Sequence, residues 1–474
     1  MLPPGRVAGC PGGNNAVLAP EPEGRAGVAQ GWAYTGGPRS SAAAAGAVTL
    51  VEGVTFCICD PGGDISPGGE RGLFYRDTRF LSRFELEVDG EPVDPLTMSC
   101  PTRYSGVFTG RRPPRPGRAD STLLVVRRRY VGHGMMEEIT LRNLSQETAG
   151  VIMTLAVEAD FAGLFEVKED RVRPREGTGC TASDSRLRLH YRHGRGSRAV
   201  TVAGTGDPAA SGRRLTWQAV LPPRGEWSAT VQVLPAVDGA EVPPRYRPGQ
   251  PVSDSDPATW LAQWRRATPV VSTPDKRLTA MLATSAEDLG ALRIFDSDQP
   301  SCSMVAAGAP WFMTLFGRDA LLTSWMLLPL DPGLAVGTLH TLARLQGSKT
   351  DPLTEEEPGK ILHEVRSGPG SGYALGGGSE VYYGSIDATP LFVMLLGELR
   401  RWGLARAEVE ALLPHADRAL EWIGKYGDRD GDGFVEYQRA TDRGLANQGW
   451  KDSFDAINFA AGTLAEPPIA LAEV

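Results

Sequence analysis

Lysine is scarce in this sequence, supplying only six of 49 basic residues, and positive charge is not in excess: 57 acidic residues leave a formal net charge of −8. Nucleic-acid binders normally carry a basic surplus, so nucleic acid is not an expected partner. No apolar run reaches the ~18 residues needed to span a bilayer, which predicts a soluble chain with no membrane partner. Cysteine is sparse too. Cys10, Cys57, Cys59, Cys100, Cys180 and Cys302 include no Cys-x-x-Cys pair and no histidine at zinc-ligand spacing, which argues against a zinc site. Cys57 and Cys59 lie two apart in an alternating apolar run, so both fall on one face of a strand, where they read as buried free thiols. Unpaired thiols fit a reducing cytoplasmic setting.

What is present is enough material for a large core: 474 residues, 41% of them hydrophobic. At ~150 residues per domain, two or three domains are expected. Residues 1–46 hold Gly, Pro and an alanine run but no compact signal peptide, and read as a disordered leader or a start-site overextension. From Val48 to Val237 short β-type runs alternate with turn signals. In MEEITLRNL, Met136, Ile139 and Leu141 interleave with polar neighbours, and Asp89-Gly90 is a dipeptide that tight hairpins prefer. The pattern predicts a large antiparallel β-sandwich over residues 47–240. The basic strings RRPPRPGR (111–118) and RRR (127–129) are expected as a solvated loop and strand edge.

Residues 241–270 follow as a linker and linker helix, introduced by a Pro-, Gly- and Asp-rich stretch. The period then changes to 3.6. Thr273 as cap and Pro274 as first residue open a helix striped by Leu278, Met281, Leu282, Leu289 and Leu292. Asp331-Pro332 opens a second, closed by Gly347, and Thr389-Pro390 a third, ending at Gly403. A further helical stretch runs from Arg406 to Tyr426, with Pro414 breaking or restarting it and Gly427 stopping it, and PPIALAEV (467–474) starts one more.

Between these helices lie long polar connections rich in aromatic residues, and long loops on a helical scaffold usually carry function. Four strings stand out: APWFMTLFGRDALLTS (309–324), DPLTEEEPGKILHEVR (351–366), VYYGSIDATPLFV (381–393) and NQGWKDSFDAI (447–457). Together they resemble bacterial amylo-alpha-1,6-glucosidase-type proteins, the glycogen debranching enzyme-like family, whose catalytic domain is an (α/α)6 barrel related to those of glucoamylases, trehalases and mannosylglycerate hydrolases. RGLFYRDTRFLSRFEL and DFAGLFEV similarly resemble the family's N-terminal domain, so the likeness spans about residues 47–474. It implies a multidomain β + α chain: an N-terminal antiparallel β-sandwich followed by an incomplete (α/α)6 barrel over residues 271–474. Such a barrel needs twelve helices and only about six can be counted after residue 270, so the chain is expected to be C-terminally truncated, to lack the general base and to turn over little by itself.

The implied activity is inverting hydrolysis of α-glucosidic bonds in glycogen-type or related glucosides. That reaction uses two carboxyls, one protonating the leaving oxygen and one activating water on the opposite face of the sugar. The resemblance makes Asp452 of GWKDS the general acid, with Trp450 beside it to desolvate the carboxyl and stack on sugar, and Lys451 adjacent. Arg318 and Asp319 of GRD would grip vicinal hydroxyls through a donating fork and an accepting carboxylate. Trp311 and Phe316 are expected as aromatic walls or core residues. Glu364, His363 and Arg366, with Tyr383 and Asp387, are further candidates for contacts to sugar hydroxyls, His363 being the more readily explained as structural. Glu355, Glu356 and Glu357 have no motif support as the base. A mannosylglycerate or short α-glucoside hydrolase, or a non-catalytic carbohydrate-binding protein, are the alternatives. No cofactor is required. Asp428, Asp430, Asp432 and Glu436 fall at calcium-loop offsets, with Arg439 where an EF-hand has its bidentate glutamate, and read either as a structural calcium site or as a solvated acidic turn.

Overall fold

The computed structural model describes residues 46–114, 121–193, 196–296, 299, 302–366, 380–441, 444–453, 455–464 and 471–472. The expected leader, apart from Gly46, and residues 115–118 of the first basic string lie outside them. Every described strand pairing is antiparallel. Val48–Glu52, Thr55–Cys59, Gly72–Tyr75 and Thr78–Leu81 form a four-stranded meander. A nine-stranded sheet and a five-stranded sheet follow. At the centre of the larger lie Glu226–Val237, Met135–Asn143 and Leu123–Val131; the smaller is built on Arg214–Leu221, Ala149–Glu158 and Arg83–Val88. Their inward residues, among them Ile139, Leu141 and Val231 from one sheet and Phe84, Met153 and Trp217 from the other, share one core, which is the sandwich the alternation predicts. Asp89 and Gly90 both take positive φ between Arg83–Val88 and Glu91–Pro92, as a tight hairpin requires.

The RRR string departs from expectation. Arg127 and Arg129 are not a solvated edge: they are 1% and 0% exposed, with Glu137 at 0% between them. Arg127 Nε and Arg129 Nε each donate to the Glu137 carboxylate at 2.7 Å, Arg127 Nη1 donates to Asp64 at 2.5 Å and Arg129 Nη2 to the Gly63 carbonyl. The strand period explains the placement. Arg127 and Arg129 share the inward parity of Val125 and Val131, and the ladder sets Arg129 opposite Glu137. By the same parity Met136 turns away from Ile139 and Leu141 and packs with Tyr104, Tyr246 and Trp264.

The four-stranded meander joins the two halves of the molecule. Cys57, Cys59 and Leu73 face the sandwich core, while Phe56, Ile58 and Phe74 face the core of the helical part. Phe56 and Phe74 stack at 4.6 Å, and burial of each ring contributes about 2–3 kcal/mol relative to exposure.

A short helix α1 (Leu164–Lys168) lies within the β region; α2 (Asp256–Ala267), α3 (Lys276–Ala291), α4 (Gly317–Met326), α5 (Pro332–Arg344), α6 (Ala388–Arg401) and α7 (Arg406–Trp422) follow. These seven, the α-helices among the described residues, do not by themselves establish an (α/α)6 arrangement. Leu321, Leu339, Leu342, Phe392, Leu395, Leu412 and Ala416 pack α4 to α7 around one core. Asp331 caps α5 as expected, accepting from the Gly333 amide. Four expectations need correction. The cap of α3 is Asp275, not Thr273, because its carboxylate reaches the Arg277 and Leu278 amides; the helix buries no residue, leaving Leu278 and Met281 exposed. Gly347 does not close α5 through a left-handed turn; it allows a close approach, since a Cβ there would lie 2.3 Å from the Glu357 carbonyl. Pro414 neither breaks nor restarts α7, which runs through it to a π-turn at Ile423–Gly427. Of PPIALAEV, Leu471–Ala472 is not helical but pairs as a strand with Glu436–Tyr437, and the rest lies outside the described residues.

Candidate functional site

Main-chain hydrogen bonds bring the four loop strings together. The Gly317 amide donates to the His363 carbonyl (2.9 Å), the His363 amide to Tyr382 (2.7 Å) and the Ile386 amide to Gln448 (2.9 Å). Glycine is needed at 317: a Cβ there would lie 2.2 Å from the Leu362 carbonyl oxygen. This contact seats Arg318 and Asp319 in the first turn of α4, against the start of α6.

Arg318 is the hub. Its Nε donates to Asp387 Oδ2, its Nη1 to Asp452 Oδ2 at 2.9 Å and its Nη2 to the Gly449 carbonyl at 2.6 Å, while its guanidinium carbon stands 5.7 Å from the Trp450 ring centre. Asp387 is fixed on its other oxygen by Ser385 Oγ at 2.6 Å. Three strings thus meet on one guanidinium. The arrangement is open on one side, where the Asp452 side chain keeps 37% of its exposure and Trp450 62%. Asp319 is half-buried beside it; burial, together with the Asp452 and Asp387 charges, raises its carboxyl against the pull of Arg318. Lys451 is exposed.

Glu364 and Arg366 form a second, more enclosed group. Arg366 Nε donates to Glu364 at 2.8 Å and its Nη1 to Asp77 at 3.1 Å and to the Trp311 carbonyl at 3.3 Å. Burial raises Glu364, and Arg366 opposes the rise. His363 is buried between the edges of Phe316 and Tyr382; desolvation and the cations Arg318, Arg366 and Lys360 push it down to about 3, so its ring is neutral. The Phe316 ring lies under Arg366 at 5.2 Å, and half-buried Trp311 meets Phe74 edge-on. Tyr383 sits in the helical core with its hydroxyl donating to the Leu345 carbonyl at the end of α5, so that its hydroxyl already has a protein partner. Glu355, Glu356 and Glu357 each fasten a loop, through the Ala440 amide, the Ser348 amide and Trp422 Nε1 respectively.

Sequence reasoning assigned no site residue to the β region, yet Asp77, Phe165 and Lys168 reach this group. Phe165 lies under Arg366 at 4.9 Å, and the Lys168 ammonium stands 4.9 Å from the Phe312 ring centre. The signal that could have found them was the pair of β-region strings, which place RD at a turn and LFEVK immediately after Gly163. Elsewhere, one carboxylate oxygen from each of Asp428, Asp430, Asp432 and Glu436 lies within 4.8 Å of the others. An all-oxygen donor set suits a hard cation such as calcium, although these carboxylates already accept main-chain amides of the same turn, including Gly431 and Gly433 on Asp428 and Arg429 on Glu436.

Residues 50–232 match the family described as the N-terminal domain of (some) glycogen debranching enzymes. No protein of curated function matches the sequence. Among solved structures, a protein described as a kojibiose phosphorylase from the human microbiome is 8% identical, with a TM-score of 0.34, over 78% of this chain and 67% of its own. A bacterial glucoamylase complexed with acarbose is 11% identical with a TM-score of 0.41; the match takes in 82% of this chain and spans 59% of the glucoamylase. A galactose mutarotase-like protein from Clostridium acetobutylicum is 7% identical with a TM-score of 0.24 over 40% of this chain and 94% of its own. At these scores none of the three fixes the arrangement of the helices or the chemistry of the site.

Proposed function

We propose, starting from the match of residues 50–232 to the N-terminal domain of (some) glycogen debranching enzymes, that the chain is part of an α-glycoside hydrolase of amylo-alpha-1,6-glucosidase type. The observation that carries the reading is the meeting of GRD, YYGSIDATP and GWKDS on the Arg318 guanidinium, beside an exposed tryptophan. Carboxylates that accept hydroxyl hydrogens, next to an aromatic face for the C–H side of a sugar ring, suit a pyranose. On this reading Asp452 delivers the proton to the leaving oxygen and Asp319 and Asp387 hold hydroxyls of the reacting sugar; no residue is assigned as the base. On this reading α4 to α7 are part of an (α/α)6 ring, and Asp428, Asp430, Asp432 and Glu436 hold a calcium ion that ties the turn after α7 together.

Calorimetric titration with isomaltose and with limit dextrin tests it. The native chain should bind both, and Asp319→Asn should weaken isomaltose binding at least tenfold while the far-ultraviolet circular dichroism stays unchanged. Absence of binding to either carbohydrate removes the reading.

A further inference from the structure

We propose that Asp77, carried by the β meander, is a positioning residue of the sugar site: through Arg366 it sets where Glu364 stands. This deepens the reading above and rests on it. Asp77 sits at the turn between Gly72–Tyr75 and Thr78–Leu81, and its carbonyl accepts from the Leu164 amide, so the turn and α1 are fixed to each other. From there its carboxylate crosses 289 positions of sequence to bond Arg366 Nη1 at 3.1 Å. Arg366 is held on every side. Glu364 takes its Nε at 2.8 Å, the Trp311 carbonyl takes Nη1, and Phe165 and Phe316 lie against the guanidinium at 4.9 and 5.2 Å.

A guanidinium shared between two carboxylates is pinned at both ends of its fork. With Asp77 absent, Arg366 Nη1 would keep only the longer Trp311 carbonyl contact, so the guanidinium would shift toward Glu364, which would then face its charge without a competing carboxylate. The charged groups facing Glu364 are Arg366, which lowers its carboxyl, and Asp77 and Asp452, which raise it along with burial. Asp77 therefore acts on both the position and the protonation of Glu364, although it lies in a different part of the fold. A purely structural role for Asp77 would touch neither.

The experiment titrates the full chain with isomaltose, and with the glucose-shaped iminosugar 1-deoxynojirimycin, from pH 4 to 8. Asp77→Asn should weaken isomaltose binding about tenfold and move the acidic midpoint of the binding profile to lower pH, because Arg366 then acts on Glu364 alone. Asp77→Glu, which keeps the charge, should keep the native midpoint and lose less affinity. If Asp77→Asn does not fold, Asp77→Glu decides by itself: about threefold weaker binding supports the proposal, and native affinity overturns it. Native affinity and midpoint in Asp77→Asn overturn the Asp77 proposal and leave the sugar site standing. A native chain that binds neither ligand removes both.

Discussion

Arginine–carboxylate networks stand in both halves of the molecule, and their surroundings differ. In the β-sandwich, Arg127, Arg129 and Glu137 are sealed between strands, at most 1% exposed, with both guanidinium groups donating to the Glu137 carboxylate. In the helical part, Arg318 gathers Asp387 and Asp452 from separate loops, yet the Asp452 side chain is 37% exposed and Trp450 62%. The same chemistry serves two ends. A sealed network can only hold strands in register, whereas an open one leaves carboxylate oxygens and an aromatic face for something outside the protein.

The comparison can be broken most forcefully at Glu137. Glu137→Gln leaves two guanidinium groups buried with one carboxylate fewer, and removing one partner of a buried ion pair costs about 3–5 kcal/mol. Urea unfolding should show that loss; a change below about 1 kcal/mol would mean that the network is not sealed in solution. Comparable in size is a second buried acid. Glu52 lines a cleft with Tyr104, Trp260 and Arg293 where the β region meets α2 and α3, and desolvation raises its carboxyl from 4.5 to about 7 against Arg245 and Arg293, with Asp256 adding to the rise. The folded state then holds this proton more tightly than the unfolded state does. Stability contributed by Glu52 is thus present below about pH 4.5, falls between about 4.5 and 7, and is lost above 7, a swing of up to about 3 kcal/mol. Glu52→Gln should flatten this part of the stability profile, as read by urea midpoints from pH 4 to 8; an unchanged slope would show Glu52 to be hydrated.

At the open network the effect should fall on binding. Arg318→Lys keeps the charge but cannot bridge Asp387, Asp452 and the Gly449 carbonyl at once, so isomaltose affinity should drop ten- to a hundredfold, about 1.4–2.7 kcal/mol, with a smaller change in unfolding free energy. A larger loss of stability than of affinity would make Arg318 a second Arg129. The smallest effect belongs to the acidic turn. Calcium should raise the melting temperature of the native chain by a few degrees, about 1 kcal/mol, and not that of Asp430→Asn; magnesium at equal concentration should do less.

Much of this organisation could be read from the sequence, for reasons that also mark where reading stops. Alternation located the β region and placed Cys57 and Cys59 on one buried face, because a strand's period is local. Local pattern cannot say that a charged run is buried. RRR looks like an edge until the ladder sets Glu137 opposite Arg129, a pairing made across a hairpin. Proline in α7 misled in the same way, since packing of Leu412, Ala416 and Ala419 outweighs one missing hydrogen bond. At the site, the loop strings named Arg318, Asp387 and Asp452, but nothing in them says that one guanidinium holds two of the carboxylates, or that Asp77 reaches Arg366 from the other half of the chain.

The most direct measurement is a crystal structure of the chain with isomaltose bound. The account predicts a glucose ring between Asp319 and Asp452 with its C–H face toward Trp450, and the Arg127–Glu137–Arg129 network unchanged. A sugar bound elsewhere, for instance in the cleft beside Glu52 and Trp260, with the Arg318 cluster empty, would contradict it.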